Sequence, residues 1–456
     1  MKSTEKAHLS IPGNGPGTGL RVLVLSAGMG AGHDAVAVEL AARLAAAGHD
    51  ADVADVLDLL PLGLGRVLRA WYGWMMRRAP WSYALIYRVF FSPGRRSRAA
   101  PADHRARATS ADRRIPAVAA EHGPRAASAG RRTRAVAAEH WARAASAGRR
   151  ALTASAGRRP AWLASPLTVL AAARLDRLLR RRSPDLVVST FHLAAQAAGH
   201  LRRAGRSPAP SAVLLTDFAA HRLWLHPGVD RYLCPCPETA RDVAAATGRP
   251  AACHAPLTRP AFQNARADAA AVHARLGTRP EDRLVLVSAG SWGVGEVEET
   301  ARVLARSGRY VPVVLCGRND ALRARLDAAE GTVALGWRTD LPQLMAVAHA
   351  LVDNAAGLTC REAFAARLPV VSYRPIPGHG RDGVLAMARA GLSVHAEDAG
   401  RLLTELDRLA DPAVRARPVA RAAALFDAPP AEDLLLAPYA TAVSAPEGSH
   451  SPDRAG

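Results

Sequence analysis

The chain has 456 residues, 49% of them hydrophobic, and a formal net charge of +20. This length is enough for two domains with separate cores. No uncharged apolar run of about eighteen residues occurs, and the polar residues 1–19 lack the apolar segment of a secretory signal, so the composition argues against a membrane-spanning or secreted protein and favours the cytoplasm. Five scattered cysteines argue against a disulfide framework.

The first half of the chain alternates between predicted strands and helices. Residues 20–25 form a short apolar run, a glycine-rich loop follows at 27–33, and residues 35–47 have the composition of an Ala-rich helix. Further strands are predicted at 50–57, 185–189 and 211–216. Strands that alternate with helices predict a parallel sheet.

The glycine-rich loop leads directly into His33. Gly28, Gly30 and Gly32 lack Cβ atoms and would let a substrate approach the backbone. The loop lacks the Gly-Lys-Ser/Thr ending of a P-loop, and His33 stands where a dinucleotide fingerprint would have its third glycine. The helix dipole should lower the pKa of His33, and a neutral imidazole can act as a base or hold a hydroxyl. An ordinary strand-to-helix turn is the plain alternative.

Two segments after this loop are basic or aromatic. Residues 66–91 mix three Trp and three Tyr with Arg, a pattern typical of a bilayer interface, with core packing as the alternative. Between residues 95 and 159 stand sixteen Arg and four acidic residues, and 117–132 recurs almost unchanged at 135–150. We interpret about 95–160 as an Arg-rich low-complexity insertion suited to an anionic membrane surface or to nucleic acid, which composition does not separate, with a solvated loop without function as the alternative.

A third segment, residues 216–227, combines Asp217, His221 and Trp224 directly after a predicted strand. Asp217 would therefore emerge at the carboxyl end of the sheet, where acid-base residues of such folds lie, and could accept the proton of an attacking hydroxyl. Helix capping by Asp217 and packing by His221 are the alternative.

Cys234, Cys236, Cys253 and His254 follow nearby, but the Cys-Pro-Cys spacing is unusual for zinc, and we predict no metal site.

The second half repeats the same plan. Its predicted strands are 283–288, 310–316, 332–335, 350–353 and 369–373. The loops after the first three carry Ser291, Gly317 and Trp337, which could surround a phosphate, a sugar or a base. The two halves predict an α/β fold of two Rossmann-like, doubly wound domains that face a central cleft.

The most informative stretch is 352–380. Gly357, Leu358 and Thr359 would open a helix whose N-terminal amides can hold a diphosphate, and Glu362 lies one turn further, where a carboxylate can bind both hydroxyls of a ribose. A nucleotide-sugar site needs these parts. The turn after the next strand would face the same crevice and carries Pro377, Gly378 and His379.

These signals divide the chain into four parts. We predict a flexible N-terminus (1–19), an N-terminal domain for acceptor and membrane (20–255) that contains the insertion at about 95–160, a C-terminal domain for the donor (256–425), and a disordered tail (426–456) with one candidate apolar contact at 434–436.

Together the motifs resemble the monogalactosyldiacylglycerol synthase and processive diacylglycerol glucosyltransferase family, over most of residues 20–395 outside the insertion. The motifs are the glycine-rich loop with His33, the Pro80-Trp81 region, Thr-Asp-Phe with His221 and Trp224, and the run from Leu-Thr-Cys-Arg-Glu to Pro-Ile-Pro-Gly. The resemblance implies the GT-B fold and an inverting glycosyltransferase that moves a hexose from a UDP-sugar to diacylglycerol or a related lipid. It implies no metal and no cofactor besides the UDP-sugar as co-substrate.

The resemblance also implies roles for single residues. His33, Asp217 and His221 would act on the acceptor hydroxyl, Glu362 would bind the ribose, and Trp337 would lie at the uracil. The remaining residues implied to bind substrate or donor are Gly30, Gly32, Ser291, Gly317, Gly357, Leu358, Thr359, Pro377, Gly378 and His379.

The chain departs from the family in three places. Residues 354–357 read Asn-Ala-Ala-Gly where the family has a Lys-Pro-Gly-Gly type run, and His379 with Gly380 replaces Gln or Glu contacts to the sugar. The first loop has alternate rather than consecutive glycines. These departures leave the sugar open. A polyprenyl-linked or soluble acceptor, and a non-catalytic basic scaffold that binds membrane or nucleic acid, are the alternatives. We expect peripheral association with the anionic inner face of the cell membrane and no nucleic-acid partner.

Overall fold

The structure is a computed structural model that describes residues 9–11, 19–79, 82, 83, 85–87 and 164–440. The predicted insertion at about 95–160, the Pro80-Trp81 pair, the end of the aromatic segment at 88–91 and the last residues, 441–456, lie outside the described residues. Two sheets with helices make up the described chain.

The first sheet has seven strands: Leu9–Ile11 (β1), Arg21–Ser26 (β2), Asp50–Asp55 (β3), Leu186–Ser189 (β4), Ser211–Leu214 (β5), Arg231–Cys234 (β6) and Ala251–Cys253 (β7). Their order is β1-β3-β2-β4-β5-β6-β7. All pairs are parallel except β1 with β3. We call this sheet and the helices packed on it the first lobe.

The second sheet has six strands: Leu284–Ser288 (β8), Val311–Leu315 (β9), Val333–Leu335 (β10), Ala350–Asp353 (β11), Val370–Tyr373 (β12) and Val394–Ala396 (β13). Their order is β10-β9-β8-β11-β12-β13, and every pair is parallel. We call it, with its helices, the second lobe. The five strands predicted in this half all form, whereas β13 was not predicted.

Both sheets are doubly wound. In each, the parallel strands begin at a central strand, β2 or β8, build one edge, and then cross back to build the other edge from β4 or β11, while the antiparallel β1 is added at the outside of β3 in the first sheet. This is the Rossmann-like pattern. The predicted α/β fold of two such domains, the GT-B arrangement, is therefore confirmed by strand order and direction.

The helices lie between these strands in chain order. They are Ala31–Ala46 (α1), Leu64–Arg78 (α2), Pro166–Arg182 (α3), His192–Arg203 (α4), Pro237–Thr247 (α5), Pro260–Gln263 (α6), Ala269–Leu276 (α7), Val297–Arg306 (α8), Asp320–Asp327 (α9), Leu341–Val347 (α10), Leu358–Ala365 (α11), His379–Arg389 (α12), Ala399–Arg408 (α13), Pro412–Ala423 (α14) and Ala431–Ala440 (α15). Local signals explain many ends: Ser165 caps α3 with its hydroxyl, and Gly248 and Gly277 end α5 and α7 in the left-handed conformation.

Successive side chains of a strand point to opposite faces of its sheet, so each sheet has a hydrophobic core on either face. In β2, Leu23 and Leu25 pack with α3 and α4, while Val22 and Val24 pack with α1 on the opposite face. The second sheet is covered on both faces in the same way. Strands buried on both faces are expected for a parallel sheet. In the part of the chain that the structure describes, no helix has the length and apolarity needed to cross a membrane.

Both predicted ends need correction. Within the N-terminus predicted as flexible, Leu9–Ile11 pairs with β3. The tail predicted as disordered from residue 426 contains α15, whose Leu434 and Leu435 are buried against Val22 of the first lobe. This burial agrees with the candidate apolar contact predicted at 434–436, and it offsets the entropy of ordering the helix around it. The chain thus returns to the first lobe after completing the second. The domain boundary at 255/256 stays a prediction; β7 ends at Cys253 and β8 begins at Leu284.

Candidate active site

The crossover points of the two sheets face each other. In open α/β sheets, ligands bind where the strand order reverses, beyond the carboxyl ends of the strands. In the first lobe that place lies after β2 and β4, and it holds His33 and Thr190. In the second lobe it lies after β8 and β11, and it holds Ser291 and the start of α11. The predicted residues of both halves therefore come from the ends of strands that border the crossovers.

His33 lies in the first turn of α1 and has a defined tautomer. Its Nδ1 is 3.0 Å from the carbonyl oxygen of Thr190 and 2.9 Å from the hydroxyl of Thr216. Because a carbonyl can only accept, Nδ1 carries the proton, and the neutral ring keeps its lone pair on Nε2. Burial lowers the pKa of His33, against the attraction of Asp217 and the Thr190 bond. The predicted direction of the shift is right, but burial rather than the helix dipole is its main cause.

Asp217 is held beside His221 and Trp224. The indole Nε1 of Trp224 donates to the Asp217 carboxylate at 2.8 Å, and His221 Nε2 lies 3.7 Å from the same oxygen. Burial raises the pKa of Asp217, but two effects outweigh it and leave that pKa below its ordinary value: the positive charge that the facing histidines carry at the acidic pH where the carboxyl group titrates, and the indole bond. Burial lowers the pKa of His221 to about 4. The site thus pairs an ionised carboxylate with neutral imidazoles at neutral pH.

The second lobe and the segment after α2 complete this cluster. His379, at the start of α12, accepts or donates one bond with the Tyr83 hydroxyl, at 2.6 Å from Nδ1, and Tyr87 donates to Asp382 at 2.8 Å. Burial lowers the pKa of His379 and raises that of Tyr83. His379, predicted on the donor side, is therefore also a neighbour of the acid-base cluster.

Sequence reasoning missed several members of this cluster. His192 follows Phe191, its ring centroid is 5.3 Å from that of His221, and burial lowers its pKa well below the usual value. A histidine directly after a predicted strand end was the available signal for it. Tyr83 and Tyr87 fall within the aromatic segment 66–91, which we interpret as a membrane contact. The pattern of that segment does not show that their hydroxyls bind residues of the second lobe.

The glycine-rich loop contacts the second lobe directly. The backbone N–H of Ala31 donates to the Ser291 hydroxyl at 3.1 Å, and the Trp292 indole donates to the Met29 carbonyl at 2.9 Å. At Gly73 of α2, an added Cβ would lie 2.7 Å from the Trp292 ring, so glycine is required for this approach. Ser291 therefore lies beside both the first loop and α1.

The start of α11 has the predicted form. Gly357 is its N-cap residue, and Leu358 and Thr359 open the helix, so free amides stand at this end. Burial raises the pKa of Glu362 to about 7, and the charge of Arg259 opposes that shift. The Glu362 carboxylate makes no hydrogen bond to another described residue, while its main-chain carbonyl accepts the N–H of Ala366 at 3.0 Å. A half-buried carboxylate without a protein partner is free to bind hydroxyl groups of a ligand.

The loop before α11 carries the departure from the family. Ala356 has a φ of +54°, a conformation that favours glycine, and it is held by the Asp353 carboxylate, which accepts its N–H at 2.6 Å. Asp353 also accepts the N–H of Ala355 at 2.9 Å. The Asn-Ala-Ala-Gly run thus keeps a left-handed turn without the glycine.

Trp337 is more exposed than the other predicted site residues of the second lobe. Its side chain is 53% exposed, and the Arg318 guanidinium stacks 4.7 Å from its ring centroid. Arg318 follows Gly317, and its N–H donates to the Ser291 carbonyl at 3.2 Å. Gly317 and Ser291 are therefore neighbours, while no described contact joins Trp337 to Glu362 or to His33. The proposed place of Trp337 at the base stays a prediction, as do those of Gly30, Gly32, Pro377 and Gly378 as ligand contacts.

The cysteine group does not form a metal centre in the described part of the chain, where no cluster of three or more His, Cys, Asp or Glu side chains has that arrangement. Burial raises the pKa of Cys234 and Cys253, to about 12 for Cys253, so both are thiols at neutral pH. His254 Nδ1 lies 2.8 Å from the Ala255 carbonyl. Cys234, Cys236 and His254 are buried, and Cys253 is half-buried, at the ends of β6 and β7.

Fold and site together define a two-lobed α/β protein of the GT-B type with its polar residues gathered between the lobes. The predicted resemblance is confirmed at the level of sequence: the family model described as monogalactosyldiacylglycerol (MGDG) synthase matches residues 143–251. A processive diacylglycerol beta-glucosyltransferase of Bacillus mycoides is 26% identical over 245 residues, 52% of this chain and 62% of the relative. That of Bacillus subtilis is 27% identical over 219 residues, 46% of this chain and 56% of the relative.

The chain thus spans about three fifths of the curated relatives it matches. Two solved structures are similar over most of the chain. MurG of Acinetobacter baumannii has a TM-score of 0.49 and 14% identity, with 93% of this chain and 99% of that chain covered. The glycosyltransferase SnogD of Streptomyces nogalater has a TM-score of 0.49 and 16% identity, with 94% and 100% covered.

Proposed function

We propose that the protein is an inverting glycosyltransferase that moves a hexose from a UDP-sugar to diacylglycerol or a related membrane lipid. The observation that carries the proposal is that His33 and Asp217 of the first lobe lie within electrostatic reach of His379 of the second lobe, and that Gly32, next to His33, faces Leu358 at the start of α11. The curated relatives are named for glucosyl transfer to diacylglycerol, which supports the acceptor class.

The chemistry needs a base and a stabilised leaving group. The acceptor hydroxyl oxygen attacks the anomeric carbon from the face opposite the diphosphate, and the bond between that carbon and the diphosphate oxygen breaks. The hydroxyl proton passes to a base, for which His33 Nε2 and the ionised Asp217 are the two candidates. Amides at the start of α11 and the Ser291 hydroxyl would stabilise the negative charge on the departing UDP. A ribose would lie against Glu362.

The acceptor would reach this site from a membrane surface. Three large apolar side chains of α2 are exposed, namely Val67 (62%), Trp71 (45%) and Trp74 (56%). Arg77 and Arg78 are exposed in the last turn of the same helix. Apolar side chains beside cations suit an anionic bilayer, with the rings at headgroup depth and the guanidinium groups on phosphates. We therefore propose peripheral association with the inner face of the cell membrane through α2.

The test is transfer of radiolabel from UDP-glucose, UDP-galactose or UDP-N-acetylglucosamine, offered separately, to diacylglycerol in anionic vesicles, with free UDP measured in parallel. Labelled lipid from one donor, with the anomeric configuration opposite to that of the donor, is the expected result. UDP release without labelled lipid would retain the donor site and reject the lipid, so that polyprenyl-linked and soluble acceptors would be screened next. No turnover with any donor would favour the non-catalytic scaffold.

A further inference from the structure

Arg361 is a buried cation that joins the two lobes. It lies on α11, between Cys360 and Glu362, and is only 3% exposed. Its Nη2 donates to the main-chain carbonyl of Thr216, which belongs to the first lobe. Its guanidinium carbon lies 5.4 Å from the ring centroid of Phe218. Both contacts therefore fall on the residues that flank Asp217.

Phe218 itself is anchored across the lobes. It is 1% exposed, packs in the core of the second lobe, and meets Phe364 of α11 edge to face with ring centroids 6.2 Å apart. The segment 216–218 is thus held by α11 from two sides, through a backbone hydrogen bond and through an aromatic ring. A shift of α11 would move this segment with it.

A buried guanidinium is costly unless it is paired, and Arg361 forms no ion pair within hydrogen-bond distance among the described residues. Its Nε is buried without a hydrogen-bond partner. Among the charges around Arg361, that of Asp217 has the largest influence on its pKa, and it favours the charged form of Arg361. Stability alone does not explain a cation here, since an apolar residue of the same volume would remove the cost of burial.

Asp217 is surrounded by groups that are neutral at neutral pH. Burial lowers the pKa of the facing histidines and raises that of the facing tyrosines, so neither set carries charge near pH 7. Among the described residues of this group, Arg361 is then the one that stays positively charged near pH 7. The titratable side chains that face Asp217 are His33 from α1, Tyr72 from α2, Tyr83 and Tyr87 from the segment after it, His192 from α4, His221 from its own loop, Arg361 from α11 and His379 from α12.

We propose that Arg361 is a positioning residue that couples the donor helix α11 to the acid-base segment 216–218. It fixes the Thr216 carbonyl and the Phe218 ring so that Asp217 is held between the lobes, and its fixed positive charge adds to the groups that favour the ionised form of Asp217. Engagement of a donor at the start of α11 would then be felt at Asp217, on the acceptor side. The inference rests on the proposed function and assigns no contact between Arg361 and substrate.

The test compares Arg361→Met, Arg361→Lys and a matched control, Arg231→Met. Arg231 is also buried and also donates to main-chain carbonyls, those of Leu434 and Leu435, but it lies on β6, away from Asp217. The first readout is the pH dependence of kcat and kcat/KM for lipid transfer. Loss of the cation should raise the pKa of Asp217, so the acid limb of the profile should move to higher pH in Arg361→Met.

For Arg361→Met we expect a loss of kcat of about tenfold to a hundredfold, with the donor KM changed by less than about threefold. Arg361→Lys should restore the acid limb, because it keeps the charge, while kcat recovers only in part. Arg231→Met should lower thermal stability and leave the limb in place. The proposal would be overturned if the acid limb of the pH profile lay at the same pH in Arg361→Met as in the wild type. It would also be overturned if the limb moved as far in Arg231→Met as in Arg361→Met.

A second readout needs no turnover and separates this inference from the proposed function. The carboxyl-carbon NMR signal of Asp217 is followed as a function of pH in the ligand-free proteins, with its assignment from Asp217→Asn. Removal of the Arg361 charge, which is coupled to that of Asp217, should raise the titration midpoint of Asp217 in Arg361→Met but not in Arg361→Lys or Arg231→Met. If the wild type transfers no sugar, the proposed function fails and this midpoint still decides the electrostatic part of the inference; an unchanged midpoint would refute it. If Arg361→Met does not fold, the proposal is decided by Arg361→Lys alone. Full kcat in that variant would show that the contacts of the guanidinium group with Thr216 and Phe218 do not position Asp217.

Discussion

His33 and Glu362 show how single residues of the site depend on burial. In both, withdrawal from water is the main cause of the pKa shift, and it acts in opposite directions because one group is a cation when protonated and the other an anion when deprotonated. His33 becomes a neutral base, and Glu362 becomes a carboxyl group that is half ionised near neutral pH. A ligand hydroxyl that donates to Glu362 would favour the ionised form.

Glu362→Gln should therefore stabilise the protein in a pH-dependent way. The pKa of Glu362 is raised by folding from 4.5 to about 7, so its contribution to stability is complete below the unfolded pKa and is lost as pH rises through the folded pKa. Glutamine removes this loss, and we expect the free energy of unfolding to rise by up to about 3 kcal/mol above pH 7 and by much less near pH 5. Urea unfolding at the two pH values measures the difference.

The same variant should weaken donor binding, because an amide is a poorer acceptor for two ribose hydroxyls than a carboxylate. We expect the donor KM to rise by about tenfold. Glu330→Gln, at an exposed position, is the matched control for both measurements. Equal stabilisation at both pH values would contradict the assigned burial effect, and an unchanged donor KM would contradict the ribose contact.

At the scale of elements, α2 has two faces with different partners. One face packs inward: Arg69 donates to Asp55 at 2.7 Å, and Asp55 accepts the Gly28 N–H at 2.9 Å. The other face exposes Trp71 and Trp74. The helix thus links an exposed apolar surface to the glycine-rich loop beside His33.

Trp71→Ala combined with Trp74→Ala should reduce binding to anionic vesicles, because two exposed rings are lost from the proposed contact. We expect a loss of about tenfold or more in a vesicle sedimentation assay, with UDP affinity unchanged. The matched control is Val169→Ala with Leu170→Ala, since these residues are exposed apolar side chains of α3. An equal loss in both double variants would argue against a specific face on α2.

The last helix is a structural part of the first lobe. Leu435 of α15 is fully buried with Leu40 and Leu44 of α1, and the Tyr439 hydroxyl donates to the Asp185 carbonyl at 2.9 Å. Leu435→Ala should therefore lower the free energy of unfolding by about 2–5 kcal/mol, the cost of deleting a buried leucine side chain. Val38→Ala, exposed on α1, should have only a small effect on the same urea curves. A small effect of Leu435→Ala would mean that α15 does not hold the first lobe.

At the scale of the whole molecule, the lobes are joined by hydrogen bonds around the cleft. Tyr83 and Tyr87 lie near the end of α2, and their hydroxyls reach His379 and Asp382 of α12. Met75, Met76 and Ile376 pack beside them. These contacts hold the first turn of α12 against the first lobe.

Tyr83→Phe combined with Tyr87→Phe should loosen this contact without emptying the core. We expect a larger radius of gyration by small-angle X-ray scattering, and a fall in kcat/KM of about tenfold to a hundredfold, from two hydrogen bonds of about 1 kcal/mol each. Tyr310→Phe is the control, because its hydroxyl donates to Asp407 at 2.6 Å within the second lobe. An unchanged radius together with unchanged kcat/KM would show that the lobes do not depend on the two hydroxyls.

The sequence by itself determined the two Rossmann-like domains and most ends of their strands, because apolar periodicity, glycine loops and helix caps act over a few residues. It also placed His33, Asp217 and Glu362 after the correct strands, since residues that follow parallel strands gather at one edge of a sheet. Only the tertiary structure decided the partners of Tyr83 and Arg361, which are 296 and 145 residues away in the chain, and the docking of α15 on the first lobe. The first two contacts arise from how the two lobes pack on each other and the third from how the chain returns to the first lobe, and local patterns in the sequence do not carry that information.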